Sequence, residues 1–280
     1  MKQIFTILSL LVTFIVSAQK IALDHTVYDQ WESIRETIWQ SQGQFICYSI
    51  SPQEGDAVLI VKNITNNAEI FIPRGAQPVF TEDGNYLIAK IKPGFNENRK
   101  AKIDKKKPDE MPKDSLVIVS LATGNISKIP AVKSFQVPEF GNGLIAYVKD
   151  VKGDMNKDGA PLIFRELNTG KESVFNSISQ FVIHPKGEGG LMYQVKTHQK
   201  EAKILLFSIA DTNTITLNSH FFSATNFTWD EQGKQLVYLI ERDSTAKALQ
   251  KNYTLAYFNY TMDSAHLVIN NKNDKIPSQY

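Results

Sequence analysis

A turn that contains a glycine leads into a short apolar strand in Thr81-Glu82-Asp83-Gly84-Asn85-Tyr86-Leu87-Ile88-Ala89. The pattern returns along the chain, with its turn glycines at Gly43, Gly84, Gly143, Gly187 and Gly233. Glycine readily adopts the positive φ that such turns require. The recurrence predicts one structural unit that is repeated five times.

Each unit continues into two further strands joined by a tight turn. The turns of these hairpins lie at 65–67, 122–124, 168–170, 211–213 and 262–264. A repeat of roughly 40–50 residues with four strands is typical of a β-propeller blade. We therefore predict an all-β fold in which residues 43–280 form a β-propeller of about five four-stranded blades.

The number of blades in the complete ring has two interpretations. The polar stretch after Asn270 contains no closing strand, which favours a chain that forms part of a larger propeller. The alternative is a complete five-bladed ring that is closed by a strand near the N-terminus. Both satisfy the usual range of four to eight blades.

A charged insert lengthens one repeat, at residues 99–114. It runs from Arg99 through three consecutive lysines to Asp114, and it is nearly free of apolar residues. We interpret it as a flexible, solvated loop, with docking of an acidic partner as the alternative. No aromatic residue interleaves its basic side chains, so the sequence offers no support for stacking on nucleic acid.

The N-terminus has the features of a secretory signal peptide. Lys2 precedes an apolar run from Ile4 to Val16, and Ala18 ends a small-residue cleavage site. We expect residues 1–18 to be removed after Ala18, which predicts a secreted or periplasmic protein with no membrane association after cleavage.

A helix is predicted over residues 23–42, after the signal peptide. Its apolar residues are spaced by four, three and four; they are Val27, Trp31, Ile34 and Ile38.

Composition excludes several classes of protein. The chain has 280 residues, a formal net charge of +2, 42% hydrophobic residues and one cysteine. This is a globular composition with no disulfide framework and no multi-thiolate metal site. The near-balanced charge gives no reason to expect nucleic acid as a partner.

Two N-terminal segments carry a resemblance to a known family. Tyr28-Asp29-Gln30-Trp31-Glu32-Ser33-Ile34 leads to Ser49-Ile50-Ser51-Pro52-Gln53-Glu54-Gly55-Asp56, and the basic insert is followed by Met111-Pro112-Lys113-Asp114-Ser115-Leu116. Together they resemble the N-terminal propeller of secreted S9 (prolyl oligopeptidase-type) serine peptidases, in the form found in Bacteroidetes-like bacteria. The resemblance extends roughly from Leu23 to the end of the chain.

The resemblance implies a propeller that gates peptide access to an α/β-hydrolase domain. This sequence contains no Gly-x-Ser-x-Gly nucleophile elbow, so no catalytic residue is carried over and the chain alone is expected to be inactive. The implied partners are a peptide substrate and a hydrolase domain that these residues do not encode. One alternative is a stand-alone periplasmic, WD40- or TolB-like propeller that binds proteins or peptides. Another is an enzyme with a polar site in the central channel.

Candidate chemical sites are few. Asp154, Asn156 and Asp158 match the start of a calcium loop, but Arg165 stands where a bidentate Glu is needed, so a solvated loop is the favoured interpretation. Cys47 lies in an apolar run and is interpreted as a small buried hydrophobe. We expect no cofactor and no catalytic or metal site. The histidines show no zinc-binding spacing; they are His25, His184, His198, His220 and His266.

Overall fold

The structure is a computed structural model that describes residues 31–141, 143–155, 157–195, 201–242 and 251–270. Its described residues form antiparallel sheets in which each strand pairs with the next one along the chain. Because neighbouring strands are consecutive, each sheet is a meander. The predicted signal peptide, 1–18, lies outside the described residues.

Three four-stranded meanders are separate sheets, which we call units 1, 2 and 5. Unit 1 comprises β1 (Glu32–Trp39), β2 (Phe45–Pro52), β3 (Val58–Asn63) and β4 (Glu69–Pro73). Unit 2 comprises β5 (Gly75–Phe80), β6 (Tyr86–Ile91), β7 (Ser115–Ser120) and β8 (Ile126–Ile129). Unit 5 comprises β16 (Ser223–Trp229), β17 (Gln235–Glu241), β18 (Tyr253–Asn259) and β19 (His266–Ile269).

Units 3 and 4 share a strand. Unit 3 comprises β9 (Val132–Gln136), β10 (Leu144–Lys149), β11 (Ala160–Glu166) and the first part of β12 (Glu172–Ile183). Unit 4 comprises the second part of β12, β13 (Gly189–Gln194), β14 (Lys203–Ser208) and β15 (Thr214–Ser219). β12 pairs with β11 through Glu172 to Ile178 and with β13 from Ile178 onward, so it is the outer strand of one unit and the inner strand of the next.

The hydrophobic core lies between the units. Each of the four cores in the described residues joins two consecutive units, from units 1 and 2 through to units 4 and 5. In β18, for example, Thr254, Ala256 and Phe258 are buried while the residues between them are half exposed. This alternation follows from the two-residue period of a strand. Face-to-face packing of successive meanders confirms the all-β propeller fold, and the blade number of the whole ring stays a prediction.

The helix predicted over residues 23–42 is wrong for the part that the structure describes. Glu32–Trp39 is β1, the inner strand of unit 1. The residues that suggested one apolar face do not form one: Trp31 and Ile34 are exposed. A bulge lies between Arg35 and Ile38. Ile34 lies opposite Ile50 and Ile38 opposite Cys47, so the bulge turns the two isoleucines to opposite faces of the strand.

The charged insert is also more ordered than the predicted loop. Helix α1 spans Phe95–Ile103, and a 3₁₀ turn follows at Pro108–Glu110. The Phe95 backbone N–H donates to Asp56 Oδ1 at 2.7 Å, which satisfies one of the unpaired donors at the start of α1. Asp114 directly precedes β7 and accepts a hydrogen bond from Lys92 Nζ at 2.8 Å. No helix among the described residues is long and apolar enough to cross a membrane.

Candidate functional site

The inner strands of units 2 to 5 surround a central cavity of about 740 Å³. β5, β9, β12 and β16 each place side chains on its wall, and unit 1 contributes none of the residues that line it. A second cavity of about 320 Å³ adjoins it, because Val182 and Phe227 line both. Together the two cavities follow the inner strands along the axis of the propeller.

Bulges in the inner strands shape this cavity. Gln77 and Asn226 both have positive φ, at 54° and 56°, and both stand where the pairing with the next strand shifts register. Gln77 lines the central cavity and Asn226 the adjoining one. The Gln77 backbone N–H donates to Glu36 Oε1 at 3.0 Å. Because a bulge turns successive side chains toward one face, consecutive residues of these strands line the cavity: Gln77 to Val79 in β5 and Phe227 to Trp229 in β16.

The turns that carry the repeated glycines hold neighbouring units together. Gln40 Nε2 donates to the Gly84 carbonyl at 2.7 Å, so the turn of unit 1 is bonded to that of unit 2. His184 Nε2 makes the corresponding contact with the Gly233 carbonyl at 2.9 Å, between units 4 and 5. A β-carbon at Gly84 would lie 2.4 Å from Gln40 Nε2, and one at Gly233 would lie 2.3 Å from the His184 ring. These contacts require glycine for lack of space as well as for φ.

His184 is fixed in one tautomer by its partners. The Lys186 backbone N–H donates to its Nδ1 at 3.2 Å, which leaves the ring hydrogen on Nε2 to be donated to Gly233. The ring is only 2% exposed and packs edge-on against Trp229, with centroids 5.0 Å apart. Trp229 in turn lines the central cavity. His184 therefore positions a wall residue of the cavity and is not itself a ligand there.

The wall of the central cavity is aromatic and acidic. The described residues of the lining include four aromatic side chains from units 3 and 5; they are Phe135, Phe140, Phe227 and Trp229. Its three carboxylates stand at or beside the turns: Glu139, Asp230 and Glu231. No lysine, arginine or histidine is among the described residues that line this cavity. Such a wall can hold apolar side chains by contact and a cation by charge.

The carboxylates differ in what they already bind. Asp230 Oδ1 accepts the Gln235 backbone N–H at 2.8 Å, which holds the turn of unit 5. Glu139 and Glu231 are exposed side chains at the mouth of the cavity. We therefore assign Asp230 a mainly structural role and consider the two glutamates available to a ligand.

The predicted calcium loop is only partly described. Asp154 and Asp158 lie in the loop between β10 and β11, and Asn156 lies outside the described residues. The Asp158 backbone N–H donates to the Asp154 carbonyl at 2.7 Å, and Lys157 Nζ stands 3.8 Å from Asp154 Oδ2. Within the described part of the chain, no group of three or more His, Cys, Asp or Glu side chains could hold a metal ion. The solvated loop therefore stays the favoured interpretation, and a calcium site stays its untested alternative.

One Ser-His-Glu arrangement occurs that sequence reasoning did not find. Ser219 Oγ lies 2.9 Å from His220 Nδ1, and His220 Nε2 lies 2.9 Å from Glu201 Oε1. The imidazole is 73% exposed, and none of these residues lines the two axial cavities. A hydrolytic triad needs a shielded site with oxyanion donors. We therefore assign this surface arrangement no catalytic role.

The remaining sequence candidates are scattered. Cys47 is fully buried, which confirms its interpretation as a small hydrophobe, and burial together with the charge of Glu36 raises the pKa of its thiol to about 12. His266 lies in β19, the outer strand of unit 5, whereas His184 lies in the turn that follows β12 in unit 4. His25 and His198 lie outside the described residues.

Comparisons with known proteins return propellers. No family model matches the sequence, and no curated protein matches it. Among solved structures, the propeller domain of the trilobed protease from Pyrococcus furiosus is 12% identical over 85% of this chain and 72% of its own, with a TM-score of 0.46. Acylaminoacyl peptidase from Pyrococcus horikoshii is 11% identical over 85% of this chain and 40% of its own, with a TM-score of 0.45.

TolB from Acinetobacter baumannii is a further neighbour, 11% identical over 81% of this chain and 52% of its own, with a TM-score of 0.37. The chain thus spans less than two thirds of the acylaminoacyl peptidase and TolB chains. These neighbours are similar to this chain in fold, and they include peptidases, the class of protein that the sequence resembles.

Proposed function

We propose that this chain is the non-catalytic propeller portion of a secreted S9-type serine peptidase, which receives peptides in its central cavity and gates their access to a hydrolase domain. The observation that carries the proposal is the cavity of about 740 Å³ between the inner strands, with aromatic side chains from units 3 and 5 on its wall. A cavity of this size holds a few residues of an extended peptide and excludes a folded protein.

A stand-alone peptide-binding propeller in the periplasm is the second candidate, and the same cavity supports it. The two candidates differ in what the gene encodes downstream. A reading frame that continues beyond Tyr280 into a Gly-x-Ser-x-Gly stretch favours the peptidase. A stop codon there, with a stable monomer after purification, favours the stand-alone module.

Peptide binding is tested with a matched pair of aromatic variants. Phe140 lines the cavity and is 48% exposed, whereas Phe71 is 55% exposed on unit 1, away from the cavity. We expect F140S to weaken binding of fluorescent heptapeptides in an anisotropy titration and F71S to leave it unchanged. Equal affinities for both variants and the original chain would place binding elsewhere and overturn the proposal.

Catalysis is the third possibility, and a hydrolysis assay separates it from the other two. We expect the purified chain to release no product from aminoacyl-prolyl or simple ester substrates. Hydrolysis that disappears in S219A would show that the exposed Ser-His-Glu arrangement is active and would contradict a non-catalytic role.

A further inference from the structure

From the charge of the cavity wall, we infer that the peptide it receives carries a basic side chain, Lys or Arg, between apolar neighbours. This inference rests on the proposed peptide-binding function and names the class of peptide. It is carried by one juxtaposition: Glu139 of unit 3 and Asp230 and Glu231 of unit 5 share a cavity whose described lining contains no cationic side chain.

Glu139 and Glu231 act on a ligand together because the cavity is a concave, mostly apolar space, and the charge of Asp230 adds to theirs although its carboxylate holds the turn. Field lines from charges at the mouth of such a space are concentrated inside it, since its walls have a lower dielectric constant than water. A basic side chain entering the mouth is attracted, and an acidic one is repelled. Repulsion of the wrong ligand contributes to selectivity as much as attraction of the right one.

The aromatic side chains provide the second part of the site. Phe140 is exposed beside Glu139, and Trp229 immediately precedes Asp230 and Glu231. An ammonium or guanidinium group favours the face of an aromatic ring, and its aliphatic stem favours the ring edge and neighbouring apolar surface. Carboxylate and aromatic ring therefore recognise the same Lys or Arg side chain.

Lys186, in the turn of unit 4, directly follows the lining residue Pro185, and its side chain already has a hydrogen-bond partner. Lys186 Nζ contacts Gln232 Oε1 at 3.1 Å, and this pair joins the turns of units 4 and 5 without lining the cavity. The basic residues of helix α1 follow β6, so they leave unit 2 at the end opposite to the Gly84 turn. Neither group is among the described residues that line the cavity.

The test compares peptides that differ in one charge. The probes are acetylated and amidated heptapeptides that carry at their centre Lys, Arg or the uncharged norleucine, flanked by phenylalanine. We expect the Lys and Arg peptides to bind about three- to tenfold more tightly than the norleucine peptide at low salt, as two partly exposed ion pairs would provide. The ratio should shrink in 0.5 M salt because exposed charges are screened.

Matched variants assign the effect to the cavity. E139Q/E231Q removes two charges from the mouth and should bring the ratio close to one. E82Q is the control: Glu82 lies two residues before Gly84, as Glu231 lies two residues before Gly233, but it does not line the cavity. We expect E82Q to keep the ratio, and a loss as large as in the double variant would overturn the assignment to these carboxylates.

The remaining outcomes distinguish this inference from the proposed function. Equal binding of the Lys, Arg and norleucine peptides would refute the inference and leave peptide binding standing. Failure of every peptide to bind would refute both. A norleucine peptide with a free N-terminus that binds as tightly as the capped Lys peptide would show recognition of an amino terminus and would overturn the claim for a basic side chain.

Discussion

Alanine substitutions at two turn glycines provide the sharpest test of how the units are joined. Gly43 and Gly233 close equivalent turns, their N–H groups donating to the carbonyls of Gln40 and Asp230, and they have almost the same φ, +71° and +70°. A β-carbon at Gly43 would meet nothing within 4 Å, whereas one at Gly233 would lie 2.3 Å from the His184 ring. The pair therefore separates the cost of the backbone conformation from the cost of the contact between units.

The magnitudes follow from these two environments. A residue with a β-carbon in the left-handed region loses about 1–2 kcal/mol of stability, which is the whole expected cost of G43A. G233A has this cost and also displaces the imidazole. Loss of the bond from His184 Nε2 leaves the Gly233 carbonyl or the buried ring unpaired, for about 1–3 kcal/mol more. We expect G233A to be destabilised by about 2–5 kcal/mol in total.

Urea unfolding followed by tryptophan fluorescence measures both variants, and a double-mutant cycle identifies the cause. In H184A the ring is absent, so adding G233A should cost only the backbone term of about 1–2 kcal/mol. Equal losses for G43A and G233A, within about 0.5 kcal/mol, would refute the contact between the turns of units 4 and 5. So would an unchanged cost of G233A in the H184A background.

Three further predictions test individual residues. Cys47 should resist iodoacetamide at pH 8 in the folded chain and react after denaturation, because burial raises its pKa to about 12; mass spectrometry detects the adduct, and rapid labelling of the native chain would contradict its burial. Ala131 has φ +54°, so A131G should raise stability by up to about 1 kcal/mol in the same urea assay, and destabilisation would contradict strain there. Burial raises the pKa of Asp83, but hydrogen bonds from Thr81 and Asn85 outweigh it and hold the pKa below its usual value. Its stabilisation is therefore complete above about pH 4 and lost as the pH falls through the folded-state pKa; D83N should flatten this acid limb, and an unchanged limb would exclude Asp83 as its source.

The repeated glycine turns determined the fold class from sequence alone. The five glycines, from Gly43 to Gly233, all have φ between 64° and 75°. The hairpin turns around Gly124 and Gly170 also lie where the spacing predicts them. These features were readable because a tight turn is determined by a few adjacent residues, and the strands beside it alternate with a period of two.

The inner strands could not be read in the same way. β1 imitates a helix because Trp31, Ile34 and Ile38 are spaced by three and four, although Trp31 and Ile34 are exposed and share no buried face with Ile38. β5 carries Pro78, and β12 serves two units, so neither has the simple pattern of one buried face. The composition of the charged insert predicts a loop, whereas the structure has helix α1 there. The start of α1 is bonded to Asp56 of unit 1, which no local pattern indicates. In each case a partner distant in sequence decides the local conformation.

The cavity and the contacts between turns were decided only by the tertiary structure. Glu139 and Glu231 lie far apart in the chain, and no local pattern indicates that they meet at one cavity mouth. The sequence shows His184 only as a histidine in a turn, and the role of its ring appears once the next unit places the Gly233 carbonyl against it. The sequence determined the repeated turns and the strands beside them because their causes are local, whereas the inner strands and the arrangement of blades around an axis depend on packing between surfaces about 40 residues apart.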